Sequence, residues 1–174
     1  FLLSSSSIYF SPYINLYLLY SSINNQDLKS IEQSIDFNLL RLNVKEQIKT
    51  RIYNSLSSQV PSSPYLSLAP FLIEPIIDIS VEKVISLNGI RSLFLYGSLS
   101  QSRLPPQISS TEKKSRAQKN VNIEFYYNGL NKFVVTNRYL NNDSKMNFIF
   151  TRRKFIHWKL TSVTLPSRLF IEEF

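Results

Sequence analysis

Apolar residues in the first part of the chain recur at intervals of three and four residues, the period of an amphipathic helix. Ser11 and Pro12 are typical of a helix start, because Ser can cap the first amides and Pro is tolerated in the first turn. The pattern therefore predicts a helix that begins at Ser11, with one apolar stripe formed by Tyr13, Leu16, Tyr17, Tyr20 and Ile23.

Four further helices are predicted by the same periodicity. Asp27 can cap a short helix that ends near Ile35, and Asp36 can cap a longer one. The remaining two cover Leu72 to Ile85 and the segment before Gly97, which can end a helix. The longest of the four is clearly amphipathic, with one apolar face formed by Phe37, Leu40, Val44, Ile48, Ile52 and Leu56.

After residue 119 the period changes from helical to alternating, and β-branched and aromatic residues become frequent. The segments "VNIEFYY", "KFVVTNRYL", "MNFIFTRRKF" and "HWKLTSVTL" predict four strands, with turn residues at Asn128-Gly129 and at 141–144. Helices followed by an antiparallel meander predict an α+β domain, with the N-terminal helices packed on one face of a C-terminal sheet of about four strands. The order is similar to NTF2-like and cystatin-like folds, which is an analogy of fold alone.

The pattern divides the chain into five segments. We expect residues 1–10 to be the C-terminal end of a truncated membrane anchor, since they are too short to cross a ~30 Å hydrocarbon core alone. Tyr9, Phe10 and Tyr13 would then lie at the membrane interface, where aromatic residues are enriched. Residues 11–97 form the helical part, 98–119 a mobile basic linker or loop, 120–166 the sheet, and 167–174 a tail.

The composition narrows the chemistry that the chain can carry out. The absence of cysteine excludes disulfides, thiolate zinc sites and cysteine nucleophiles, and His157 is the only histidine. Three glycines, none of them clustered, argue against a phosphate-binding loop. We therefore expect no catalytic residue, no metal and no cofactor, although the net charge of +8 suits an anionic partner.

Two sets of residues are candidates for binding. Arg152, Arg153 and Lys154 are flanked by aromatic residues and could contact an anionic partner. The alternation places Phe148, Phe150 and one of the two arginines on one face, which favours an aromatic core with a basic rim over a nucleic-acid surface. A curved sheet could also hold a ligand on its concave side, and Tyr126, Asn137 and Trp158 are the candidate pocket residues.

Residues 11–49 resemble the opening of a bacterial envelope family, the domain of unknown function DUF2939. The resemblance is carried by Ser11-Pro12-Tyr13, Asp27-Leu28, Asp36-Phe37 and Lys45-Glu46-Gln47, followed by "GLNKFVV" at 129–135 and "WKLTSVTLP" at 158–166. It implies a membrane-anchored protein whose folded domain lies outside the cytoplasm, and it assigns no catalytic residue.

These observations leave three hypotheses for function. The first is a membrane-anchored domain, periplasmic or otherwise extracytoplasmic as the resemblance implies, that binds another envelope protein as an accessory subunit without catalysis. The second is a small-ligand binding protein or an enzyme that uses a pocket on the curved sheet. The third is a basic subunit of a ribonucleoprotein, which the position of the basic residues disfavours.

Overall fold

The computed structural model describes residues 2–59, 69–96, 121–139 and 144–165, and it confirms the predicted α+β order. The predicted linker 98–119 and the predicted tail 167–174 lie outside the described residues. The elements are α1 Leu2–Asn25, α2 Leu28–Ser34, α3 Phe37–Gln59, α4 Ala69–Ile85 and α5 Leu87–Tyr96, followed by β1 Val121–Tyr127, β2 Lys132–Tyr139, β3 Ser144–Arg152 and β4 Trp158–Thr164.

The four strands form one antiparallel sheet in the order β1-β2-β3-β4, so each strand pairs with its neighbour in the chain. Gly129 has a φ of 85° in the β1–β2 turn, a conformation that glycine adopts without steric cost. The β1–β2 and β3–β4 turns lie at the same end of this meander, and the Arg152 amide donates to the Asn131 carbonyl across 2.9 Å. We call residues 128–132 and 152–159 the turn end of the sheet.

The helices cover one face of the sheet and enclose the core with it. The inner face of the strands contributes large apolar side chains, and α3, α4 and α5 contribute the opposing layer. Phe94 of α5 stacks against Phe148 of β3 with ring centroids 4.3 Å apart. The most deeply buried members of this core include Ile31, Leu40, Val44, Ile48, Ile77, Phe133, Met146, Phe148, Phe150, Trp158 and Leu160.

Asp27 and Asp36 act as helix caps, as the sequence predicts. The Asp27 carboxylate accepts from the Ser30 amide and from the Ser30 hydroxyl, and the second of these bonds is the main cause of the lowered pKa of Asp27. The Asp36 carboxylate accepts from the Leu39 amide over 3.2 Å. The backbone at Ile35 and Asp36 also pairs with Leu160 of β4, which fixes the start of α3 against the sheet.

The prediction that a helix begins at Ser11 is wrong, because α1 runs without interruption from Leu2 to Asn25 with Pro12 inside it. The proposed boundary between an anchor at 1–10 and the helical part therefore falls within one helix. Proline has no amide hydrogen, so the Ile8 carbonyl loses its usual donor four residues later. The Ser11 hydroxyl replaces that donor at 2.7 Å, which explains why the helix tolerates proline here.

Candidate interaction surface

One flank of α3 forms a ladder of ion pairs with α4. Arg41 pairs with Glu82 at 3.0 Å and Lys45 with Asp78 at 2.6 Å, while Glu74 accepts from both Lys45 and Lys49. The hydrogen bonds from Lys49 and Lys45 lower the pKa of Glu74, and those to Asp78 and Glu74 raise the pKa of Lys45. These three basic residues of α3 thus find acidic partners within the molecule.

The other flank of α3 covers the exposed edge of β4. The Asn43 side-chain oxygen accepts from the Val163 amide at 3.0 Å, and the Gln47 side-chain amide bonds both the Val163 carbonyl and the Leu165 amide. Arg51 donates to the Leu165 carbonyl. These side chains replace a neighbouring strand, so backbone groups that could template edge pairing are satisfied internally.

Trp158 connects β4 to the middle of α1 through a buried chain of hydrogen bonds. Its indole nitrogen donates to the Ser11 hydroxyl at 2.8 Å, and that hydroxyl donates in turn to the Ile8 carbonyl. Ser11 and Trp158 are both almost fully buried, so each hydrogen bond removes a polar group that would otherwise be desolvated and unpaired. The Ser11-Pro12 pair therefore lies where α1 is attached to the sheet.

Asn15, one turn further along α1, holds the β3–β4 turn. Its side-chain amide donates to the carbonyls of Ser11 and Ile156 at 2.8 and 3.0 Å. The turn itself is closed by the Arg153 amide, which donates to the His157 carbonyl at 2.8 Å. The first half of α1 consequently lies across the turn end of the sheet.

The predicted membrane-interface residues Tyr9, Phe10 and Tyr13 lie in this same half of α1. The ring of Tyr13 packs 4.9 Å from that of Phe133, whereas Tyr9 stacks 5.3 Å from Tyr127 and remains half exposed. The Tyr127 hydroxyl donates to the Tyr9 carbonyl, and burial is the main cause of the raised pKa of Tyr127. Tyr9 and Tyr13 therefore attach α1 to β1 and β2, while Phe10 and part of Tyr9 face solvent.

The outer face of α1 is apolar and exposed between Phe10 and Tyr20. The helix contains no charged residue between Leu2 and Asn25. The residues that face outward are large and hydrophobic, and we refer to them as the α1 outer face: Phe10, Ile14, Tyr17, Leu18 and Tyr20. Exposed apolar patches of this kind are typical of interaction sites on folded domains.

The structure separates the three basic residues predicted to contact an anionic partner. Arg152 lies over the Trp158 ring, 4.6 Å from its centroid, and Arg153 pairs with Asp36 at 2.6 Å. Lys154 is exposed in the β3–β4 turn and has no ion-pair partner in the described part of the chain. Lys154 is thus the one of the three with neither an ion-pair partner nor a ring partner among the described residues.

The three predicted pocket residues do not converge. Tyr126 pairs with Val134 and faces away from the helices, whereas Asn137 and Trp158 lie on the inner face near opposite ends of the strands. Trp158 is buried and bonded to Ser11. A cavity of about 10 Å³ does lie between helices and sheet, lined wholly by apolar residues that include Leu40, Phe94 and Phe148, and a single water molecule would need at least this much space.

The described residues meet the requirements of neither a metal-ion site nor a membrane-spanning helix. They contain no group of three or more His, Cys, Asp or Glu side chains placed to hold a metal ion. Among the helices of the same segments, none has the length and apolar character needed to cross a bilayer.

Comparison with known proteins identifies the family of the chain. The family model described as "Protein of unknown function (DUF2939)" matches residues 1–93, which span α1 to α4 and most of α5. The predicted resemblance to DUF2939 is thereby confirmed over residues 1–93, and the two strand segments of that resemblance lie beyond the match. No curated protein and no solved structure matches the chain.

Proposed function

The chain belongs to the DUF2939 family, and we propose that it is a membrane-anchored extracytoplasmic domain that binds a partner protein as an accessory subunit of an envelope complex. In this proposal the domain catalyses no reaction. The observation that supports it most strongly is the α1 outer face, an exposed row of aromatic and aliphatic side chains on a helix without charge.

The spacing within this row suits the recognition of a groove. Phe10, Ile14 and Tyr17 follow each other at four and three residues, the pattern by which a helix lays its apolar face into a partner. Tyrosine is favoured at such surfaces because its ring offers a large contact area and its hydroxyl can bond to the partner. The helix is held rigidly beneath by Ser11, Asn15 and Tyr13, so little conformational entropy is lost on binding.

Single-cysteine labelling tests this proposal cleanly, since the chain has no cysteine of its own. We expect a Tyr17→Cys variant in membranes to crosslink to a partner protein and to be protected from an impermeant thiol reagent. The matched control is Leu42→Cys on the exposed side of α3, which should react freely. Recovery of the whole protein in the soluble cytosolic fraction, with equal labelling of both positions, would contradict the proposal.

The two alternatives have less support. A ligand pocket would need polar groups that converge on a cavity, whereas the cavity between helices and sheet has only apolar walls. A ribonucleoprotein role would rely on basic residues, of which Arg152 and Arg153 are already engaged within the molecule.

A further inference from the structure

Two turns at one end of the sheet present large apolar side chains to solvent. Leu130 in the β1–β2 turn is 86% exposed and Phe155 in the β3–β4 turn is 84% exposed, with Ile156 half exposed beside it. Such residues at turn tips contribute nothing to the core. Their exposure on two neighbouring turns of a single end is therefore a feature that folding alone does not explain.

The same turn end is basic. Residues 128–132 and 152–159 contain no Asp or Glu, and they include Lys132, Lys154 and Lys159. In the register of the sheet, Lys132 and Lys159 flank Thr151 on the face away from the helices. None of these three lysines has an ion-pair partner among the described residues, in contrast to Arg153, which Asp36 neutralises.

The turn end also adjoins the α1 outer face. Asn15 bonds the Ile156 carbonyl, and Asn15 lies next to Ile14 in the helix. The apolar tip of the β3–β4 turn and the exposed side chains near Ile14 of α1 therefore lie beside one another, and Lys154 belongs to the same turn.

We propose that the turn end is a lipid-contact surface, in which Phe155, Ile156 and Leu130 enter the headgroup region of an anionic membrane. Lys132, Lys154 and Lys159 bind the lipid phosphates around them. Apolar side chains that enter the interface and basic side chains that attract its charge act together in peripheral membrane binding. This inference deepens the proposed function and rests on it, because it specifies which end of the domain faces the membrane.

Binding to vesicles in the absence of any other protein tests the inference. The purified 174-residue chain is mixed with vesicles of phosphatidylcholine alone or with about one quarter phosphatidylglycerol. We expect preferential binding to the anionic vesicles, weakened about ten-fold by the double change Phe155→Ser and Ile156→Ser. Each of Lys154→Gln and Lys159→Gln should weaken it about five-fold.

Two control variants distinguish binding through this surface from non-specific hydrophobic or electrostatic adsorption. Phe71→Ser removes an equally exposed phenylalanine, 79% exposed on α4, and Lys145→Gln removes a lysine at the opposite end of β3. Both variants should bind as the parent chain does. All the residues changed are at the surface, so thermal unfolding should be unaltered, within about 0.5 kcal/mol.

A fluorescent label on a single cysteine reports contact directly. When anionic vesicles are added, the emission of a label at Phe155→Cys should shift to shorter wavelength and be quenched by nitroxide lipids. The emission of a label at Phe71→Cys should change in neither way. Vesicle binding that leaves the Phe155 label in water overturns the inference yet leaves the membrane proposal standing, since α1 would then provide the contact. Absence of vesicle binding also overturns it, and salt-sensitive binding to single-stranded RNA in its place would favour the nucleic-acid hypothesis.

Discussion

α1 and α3 are helices of nearly equal length, 24 and 23 residues, yet they are used in opposite ways. α3 has an internal partner on three sides: the core, the acidic ladder of α4 and the edge of β4. α1 has a buried side around Leu19 and Ile23, and its outer face between Phe10 and Tyr20 is apolar and exposed. A helix whose polar flanks are satisfied internally serves the fold, whereas an uncharged helix with an open apolar face is suited to a contact outside it.

Removing the attachment of α1 should have the largest effect on stability. Trp158→Ala deletes the largest buried side chain of the sheet together with the donor to Ser11, so we expect a loss of about 3–5 kcal/mol in the free energy of unfolding. Urea denaturation measures this loss. Phe155→Ala, three residues away on the exposed turn, is the control and should change stability by less than about 0.5 kcal/mol.

Removing the Ser11 hydroxyl tests whether α1 continues through Pro12 because a side-chain donor replaces the missing amide. Ser11→Ala leaves the Ile8 carbonyl and the Trp158 indole without their partner, at a cost of about 1–3 kcal/mol. Ser80→Ala removes the same kind of bond, from Ser80 to the Ile76 carbonyl, at an exposed site without proline. Equal losses in the two variants would refute the role assigned to Ser11.

The amide side chains of α3 should matter next. Gln47→Met keeps the volume but removes the bonds to Val163 and Leu165, and we expect a loss of about 1–2 kcal/mol. Hydrogen exchange at the Leu165 amide should accelerate, because that amide loses its acceptor. Unchanged exchange at Leu165 would show that β4 does not depend on α3 for its edge.

The ion pairs between α3 and α4 should give the smallest effect and one that depends on pH. Since the pKa of Glu74 is lowered in the folded protein, its contribution is present above the ordinary value of 4.5 and is lost as the pH falls below it. Glu74→Gln should therefore flatten the fall in stability in that acidic range, more at low salt than at high salt. The midpoint of thermal unfolding, followed as a function of pH, measures this effect. Glu46→Gln, on the exposed side of α3, is the control.

The period of the apolar positions and the chemistry of neighbouring side chains predict much of this fold. The change from helical to alternating apolar positions predicts all nine described elements. Asp27 and Asp36 indicate two helix starts, because a cap depends only on neighbours three residues away. Local chemistry fails at Ser11, where a Ser-Pro pair looks like a cap. The contact with Trp158, 147 positions away, instead holds it inside a helix.

The candidate surface is harder to predict, since it depends on which side chains find partners inside the molecule. Arg153 looks available in the sequence, but Asp36, 117 positions earlier, pairs with it. Asn43 and Gln47 look like ordinary surface residues until β4 is placed beside them. The grouping of Tyr126 with Asn137 and Trp158 could have been avoided from the sequence, because strand alternation puts Tyr126 with Asn122 and Glu124, on the face opposite to that of Phe125.

The central claim, that α1 and not α3 provides the external contact, is tested most directly by one pair of matched substitutions. Leu18→Asp and Leu42→Asp each place a carboxylate at an exposed leucine of a helix, 52% and 60% exposed respectively. The measurement is the fraction of the chain that crosslinks through Tyr17→Cys to its partner protein in membranes, for variants whose unfolding matches that of the parent chain. We predict that Leu18→Asp lowers this fraction several-fold and that Leu42→Asp does not. Equal fractions for both variants would contradict the account.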